Sequence, residues 1–201
     1  DQCLGRWATS LDSLQDGTEV AFFSLINQNN PNFQYMKNDY TREDADYGSI
    51  VLGPNPGCPY TEARWILEKQ GDGSFLIRTP NLNVDPFFHL ANESPDIMTV
   101  TSEGAVPAAK WFFELISNGV FAMRSLGAYN PPFDSVYAEG RTNGIIGSSP
   151  NAGLSNPGTL WRIRLLTPLA APLAQSRSSL NIGAYPVDPN GPLTPQKDQQ
   201  N

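Results

Sequence analysis

Three tryptophans constrain this 201-residue chain more than any other feature. Trp65, Trp111 and Trp161 are spaced by 46 and 50 residues, and each sits in a similar string. The strings are Ala63-Arg64-Trp65-Ile66-Leu67-Glu68, Ala109-Lys110-Trp111-Phe112-Phe113-Glu114 and Thr159-Leu160-Trp161-Arg162-Ile163-Arg164. A repeat of that period marks one supersecondary unit copied along the chain. In each copy the tryptophan and the residue two later are apolar. Side chains two apart share one face of a strand, so the pattern predicts a half-buried strand three times over.

The neighbouring segments keep step. Phe75 and Phe121 each lie ten residues after a tryptophan, behind the turn sequences Gly71-Asp72-Gly73 and Asn118-Gly119. Asp-Gly and Asn-Gly suit tight hairpin turns because they tolerate positive φ. Both following strands end on Arg then a hydroxyl residue, Arg78-Thr79 and Arg124-Ser125. Between the tryptophans, residues 34–38, 88–92 and 136–140 read as one strand each, with Met36, Leu90 and Ala138 in the same phase. Shorter strands follow at 49–52, 97–100 and 144–147. With an opening strand at 20–26 and a closing one at 161–165, the count is four strands in each of three repeats.

Twelve strands in three units of about 45 residues match an all-β β-trefoil over residues 18–167. Six strands close a barrel and six cap it as hairpins, so neither end strand is left as an exposed edge. The arrangement resembles the fascin-like and ricin-like trefoil families. Ricin-like lectins carry Gln-x-Trp in each repeat; here that first position is Ala63, Ala109 and Thr159, a departure from the family's sugar-binding pattern. Composition agrees with short strands and many turns: Gly 17, Pro 18, and only 16% charged residues.

Residues 1–17 precede the repeats, and Leu4, Trp7 and Leu11 are expected to pack on the barrel. Cys3 and Cys58 are the two cysteines, and an even count in a chain read as secreted predicts one disulfide tying that segment down. Residues 168–201 hold six prolines among scattered apolar residues and read as an extended tail, with 178–184 able to add to a sheet edge. The start at Asp1 reads as a processed N-terminus and the location as extracellular. A net charge of -7 and a sequence pI near 4.6 argue against nucleic acid and anionic membranes as partners. No apolar run approaches the length of a membrane span.

Catalytic groups are sparse. His89 is the single histidine, and it falls where the other repeats have Tyr35 and Tyr137, which makes it a packing position. There is no nucleophile elbow, no phosphate loop and no dinucleotide fingerprint. Two cysteines and one histidine do not make a zinc site, and the acidic run Glu43-Asp44-Ala45-Asp46 lacks EF-hand spacing. The expectation is a non-enzymatic protein with no cofactor and no metal. Asn92-Glu93-Ser94 is an N-glycosylation sequon, expected on a loop.

Three functions follow as expectations. The first is carbohydrate binding, through an aromatic ring beside amide and carboxylate groups: Tyr137, Glu139, Arg141 and Asn143 in the third repeat, or Tyr35, Asn38 and Asp39 in the first. The second is a structural subunit of an extracellular fibre, coat or matrix, joined to neighbouring copies through the tail. The third is protease inhibition by one exposed loop, at 38–48 or 53–61, as in Kunitz-type trefoils.

Overall fold

The computed structural model describes residues 5–39, 49–58, 60–80, 89–102 and 104–168. The chain divides after Pro168 into two units, and all of these residues fall in the first. The expected tail from 169 onward, Cys3, Leu4 and the acidic run at 43–46 lie outside the described residues.

Among the described residues twelve strands form, in the expected order. They are β1 Glu19–Ser24, β2 Tyr35–Asp39, β3 Ser49–Gly53, β4 Trp65–Lys69, β5 Phe75–Arg78 and β6 His89–Ser94. After these come β7 Ile97–Thr101, β8 Trp111–Ser117, β9 Val120–Ser125, β10 Tyr137–Gly140, β11 Ile146–Ser149 and β12 Trp161–Leu165. All pairings are antiparallel. β1 pairs with β4 and β12, β4 with β5, β5 with β8, β8 with β9, and β9 with β12, which closes a six-strand circuit. β2–β3, β6–β7 and β10–β11 are the three hairpins outside that circuit. Among the described residues the fold is all-β and trefoil-like.

Each tryptophan locks a hairpin to the barrel. The indole N–H of Trp65 donates to the Met36 carbonyl at 3.2 Å, that of Trp111 to Leu90 at 2.9 Å, and that of Trp161 to Ala138 at 3.1 Å. All three rings are fully buried. A buried indole N–H needs an acceptor, and here it takes a strand carbonyl of its own repeat. A short 3-10 turn precedes each tryptophan: Thr61–Ala63, Pro107–Ala109 and Pro157–Thr159. Ala63, Ala109 and Thr159, which stand where ricin-like lectins have Gln, are the buried last residues of these turns. No ligand can reach them.

The recurring arginines serve the fold. Arg78 pairs with Glu68 at 2.5 Å and Arg124 with Glu114 at 2.8 Å, each across its own hairpin. His89, Tyr137 and Tyr35 each open the following strand, opposite Arg78, Arg124 and Phe23. His89 faces Glu68 at 3.6 Å, as Tyr137 faces Glu114. Burial lowers the His89 pKa from its usual 6.5 despite the pull of Glu68 in the other direction.

Residues 5–17 are part of the barrel unit. Ala8 N–H donates to the Ile163 carbonyl at 2.8 Å, and the Leu165 N–H to Arg6 at 2.9 Å, so the segment lies along β12. The Trp7 ring has Arg162 at 4.2 Å and Arg164 at 4.8 Å. Leu14 enters the core, whereas Leu11 stays exposed.

Candidate functional site

The third repeat carries a cleft of about 340 Å³ lined by Ile26, Glu139, Gly140, Arg141, Asn143, Asn156 and their neighbours. It sits between the tip of the β10–β11 hairpin and the 3-10 turn before Trp161. Glu139 projects from β10 on the face opposite to buried Ala138 and Gly140. One of its carboxylate oxygens accepts from Asn156 Nδ2 at 2.9 Å, and the other lies 3.5 Å from Arg141 Nε. Arg141 also donates to Asp96 at 2.8 Å and to the Pro95 carbonyl at 2.7 Å, which tie it to the β6–β7 tip. The buried Asn27 amide donates to the Arg141 carbonyl at 3.0 Å and holds the hairpin tip from beneath. Asn143 Oδ1 accepts the Ile145 N–H at 3.2 Å, fixing the turn and leaving the amide nitrogen to donate outward.

Glycine at 158 makes the space, and glycine at 140 lets the strand beneath it pack on the core. A Cβ at Gly158 would lie 2.8 Å from the Gly140 carbonyl and 2.9 Å from Glu139 Cγ, and a Cβ at Gly140 would lie 2.9 Å from Ser24 Oγ. The other repeats fill the equivalent places. Where the third has Glu139, Asn156 and Gly158, the first has Lys37, Tyr60 and Glu62, and the second has Ala91, Val106 and Ala108. Lys37 and Glu62 approach to 3.8 Å, and the Tyr60 ring is buried edge-on against Tyr35 at 5.6 Å. The cleft is therefore a property of the third repeat and not of the threefold plan.

Three of the residues expected from the sequence, Glu139, Arg141 and Asn143, meet in this cleft. Tyr137 does not line it: its hydroxyl donates to Glu114 at 3.1 Å, and its pKa is raised, first by burial and then by that carboxylate. The first-repeat set does not form a site. Tyr35 is 3% exposed and packs edge-on against Phe23 and Tyr60, with burial first among the causes that push its pKa up to about 12. Asn38 is 2% exposed, its side chain turned inward. Asp39 is half-buried at the end of β2, next to residues outside the described set. Asn156, Gly158 and Ile26 join the cleft from other segments and were not anticipated.

The sequon needs a correction. Asn92 lies within β6 and not on a loop, and it is 0% exposed. Its Nδ2 donates to Ser135 carbonyl at 2.7 Å and Ser125 Oγ at 3.0 Å, with Gly127 carbonyl at 3.3 Å. The folded chain has no room for a glycan on that nitrogen. Cys58 sits exposed in the turn after β3 and is not a free thiol. Its expected partner Cys3 is outside the described residues.

A second cleft, of about 290 Å³, lies beneath the N-terminal segment, between Leu11, Leu14, Phe75, Phe112 and Phe113, with Asp12 and Lys69 at its rim. Five of its lining residues are large apolar side chains, whereas the third-repeat cleft is lined mostly by polar groups and glycine. No group of three or more potential metal ligands occurs among the described residues, and no helix there is long and apolar enough to cross a membrane.

No protein-family model matches the chain, and no curated protein matches its sequence. Solved structures do resemble it. The designed threefold-symmetric protein ThreeFoil aligns with a TM-score of 0.54 at 9% identity, over 73% of this chain and 97% of that one. The lysenin pore aligns with a TM-score of 0.50 at 13% identity, over 83% of this chain. The chain spans about half the length of the lysenin chain, 50%. At such low identity these likenesses carry the fold alone: the chain shares a trefoil-like architecture with a designed protein and with part of a pore-forming one.

Proposed function

We propose that this chain is a secreted, non-enzymatic, carbohydrate-binding trefoil whose site is the third-repeat cleft. The observation that carries the reading is the convergence of Glu139, Arg141, Asn143 and Asn156 around a cleft floored by glycine. Sugars present alternating hydroxyl donors and acceptors on an apolar ring face. Glu139 supplies two acceptor oxygens, held in place by Asn156 and Arg141, so they cost little ordering on binding. Asn143 supplies a donor, and Ile26 an apolar surface for ring C–H groups. Gly158 lets the ring approach the backbone. Glu139 is the single carboxylate in this lining, whereas glycoside hydrolysis uses a pair, so binding is preferred to hydrolysis here.

The test is a panel of immobilised neutral glycans probed with the wild-type chain and with Glu139→Gln. That variant keeps the shape but removes the charge that strengthens ligand hydrogen bonds. A loss of about 2 kcal/mol, roughly thirtyfold in affinity, is expected. Binding that survives Glu139→Gln unchanged would refute the assignment of the site.

A further inference from the structure

Resting on that reading, we infer that the cleft selects neutral saccharides and rejects their anionic counterparts, because its one cation is already neutralised from outside the cleft. Arg141 is the positive group in the lining and Glu139 the negative one. Two acceptors beyond the lining take the ends of the guanidinium. Asp96 Oδ1 receives Nη1 at 2.8 Å, and the Pro95 carbonyl receives Nη2 at 2.7 Å. Pro95 is itself fixed, since its carbonyl also accepts the Ser148 N–H at 2.9 Å. A side chain at position 147 would collide with it, a Cβ there falling 1.9 Å from the Pro95 oxygen. Gly147 thus brings the β6–β7 tip against β11 and sets Asp96 and Pro95 where Arg141 can reach them.

The charge balance follows. Arg141 with Asp96 and Glu139 sums to a net single negative charge, and of the two carboxylates the one that lines the cleft is Glu139. A ligand hydroxyl donates to that carboxylate, whereas a ligand carboxylate is repelled by it and meets a guanidinium already bonded through Nη1 to Asp96 and through Nη2 to the Pro95 carbonyl. Rejection of this kind works by an unfavourable contact with the wrong ligand, not by a better contact with the right one. The overall charge of -7 acts in the same direction at longer range. Asp96 is 77% exposed at its side chain, so its removal should leave the fold intact while freeing one edge of Arg141.

Calorimetric titration with matched pairs tests this directly: the methyl glycosides of glucose, galactose and mannose against the corresponding uronic acids, which differ by one carboxylate. The wild-type chain is expected to bind at least one neutral member with one site per chain, and its uronic acid about tenfold more weakly or worse. In Asp96→Asn the gap should narrow, through tighter binding of the uronic acid and little change for the neutral sugar. Equal or tighter binding of the uronic acid by the wild type overturns the selectivity and leaves the carbohydrate reading standing. An unchanged gap in Asp96→Asn overturns the role of Arg141 neutralisation. No heat from any of the six overturns both the selectivity and the reading it rests on.

Discussion

Replacing Trp161 by Phe isolates what the repeated tryptophan does. The ring is fully buried, and its N–H donates to the Ala138 carbonyl at 3.1 Å. Phe removes that donor and strands a buried carbonyl, which costs about 1–3 kcal/mol. It also removes roughly 40 Å³ of side chain, and at about 24 cal/mol per Å³ the resulting cavity costs about 1 kcal/mol more. The sum is about 2–4 kcal/mol, or a fall in Tm of some 5–15 °C at the ~2–4 °C per kcal/mol typical of a domain this size. Trp65→Phe and Trp111→Phe should cost the same within about 1 kcal/mol, since their indoles make the same bond to Met36 and Leu90. Trp7→Phe, which strands no hydrogen bond and weakens ring contacts with Arg162, Arg164 and Phe23, should cost about 1 kcal/mol or less. Urea unfolding monitored by circular dichroism, with unchanged slope, gives these differences. If any one of the three repeat tryptophans proves as tolerant as Trp7, the tryptophans do not lock the hairpins.

Other outcomes follow from single sites. Asn92→Ala should destabilise by about 1–3 kcal/mol, because it removes the amide that donates to the buried Ser135 carbonyl, and the intact mass of the folded chain made in a glycosylating host should show no glycan at Asn92. His89 has a folded pKa below 6.5, so the unfolded chain binds the proton first; stability should hold above pH 6.5 and fall as pH drops from there toward the folded pKa. Urea midpoints between pH 7.5 and 5 would show this, and the His89→Gln variant should lose that part of the slope. Gly158→Ala places a methyl group 2.8 Å from the Gly140 carbonyl and 2.9 Å from Glu139, so saccharide binding should fall at least tenfold for a stability cost of about 1–3 kcal/mol, read by titration beside thermal melting.

The barrel was legible because its signal is periodic. Trp161 to Leu165 forms the strand that its alternation dictates, and Met36, Leu90 and Ala138, in phase by sequence, are the acceptors of the three indoles. Inward polar residues were not legible. Asn38 and Asn92 occupy the same position in two repeats and point into the fold, but alternation registers only apolar residues as buried. A sequon carries no information about which way its strand faces. Tyr35 was misread for the related reason that an aromatic residue suits a core as well as a ligand site. Half of the cleft was readable because Glu139, Arg141 and Asn143 lie within five residues of one another. Asn156 and Gly158 come from the next turn, and Ile26 from the far end of the chain. Aligning the three turns would have exposed them: Gly158 stands against Glu62 and Ala108, the one place in that series without a side chain.

The central claim, that the third-repeat cleft holds a saccharide, is tested most directly by amide chemical-shift mapping of isotopically labelled protein titrated with methyl glycosides. The account predicts perturbations clustered at Ile26, residues 139–143 and residues 156–158, with the equivalent turns around Glu62 and Ala108 silent. Shifts centred on Phe75, Phe112 and Phe113, or no shifts for any sugar, would contradict it.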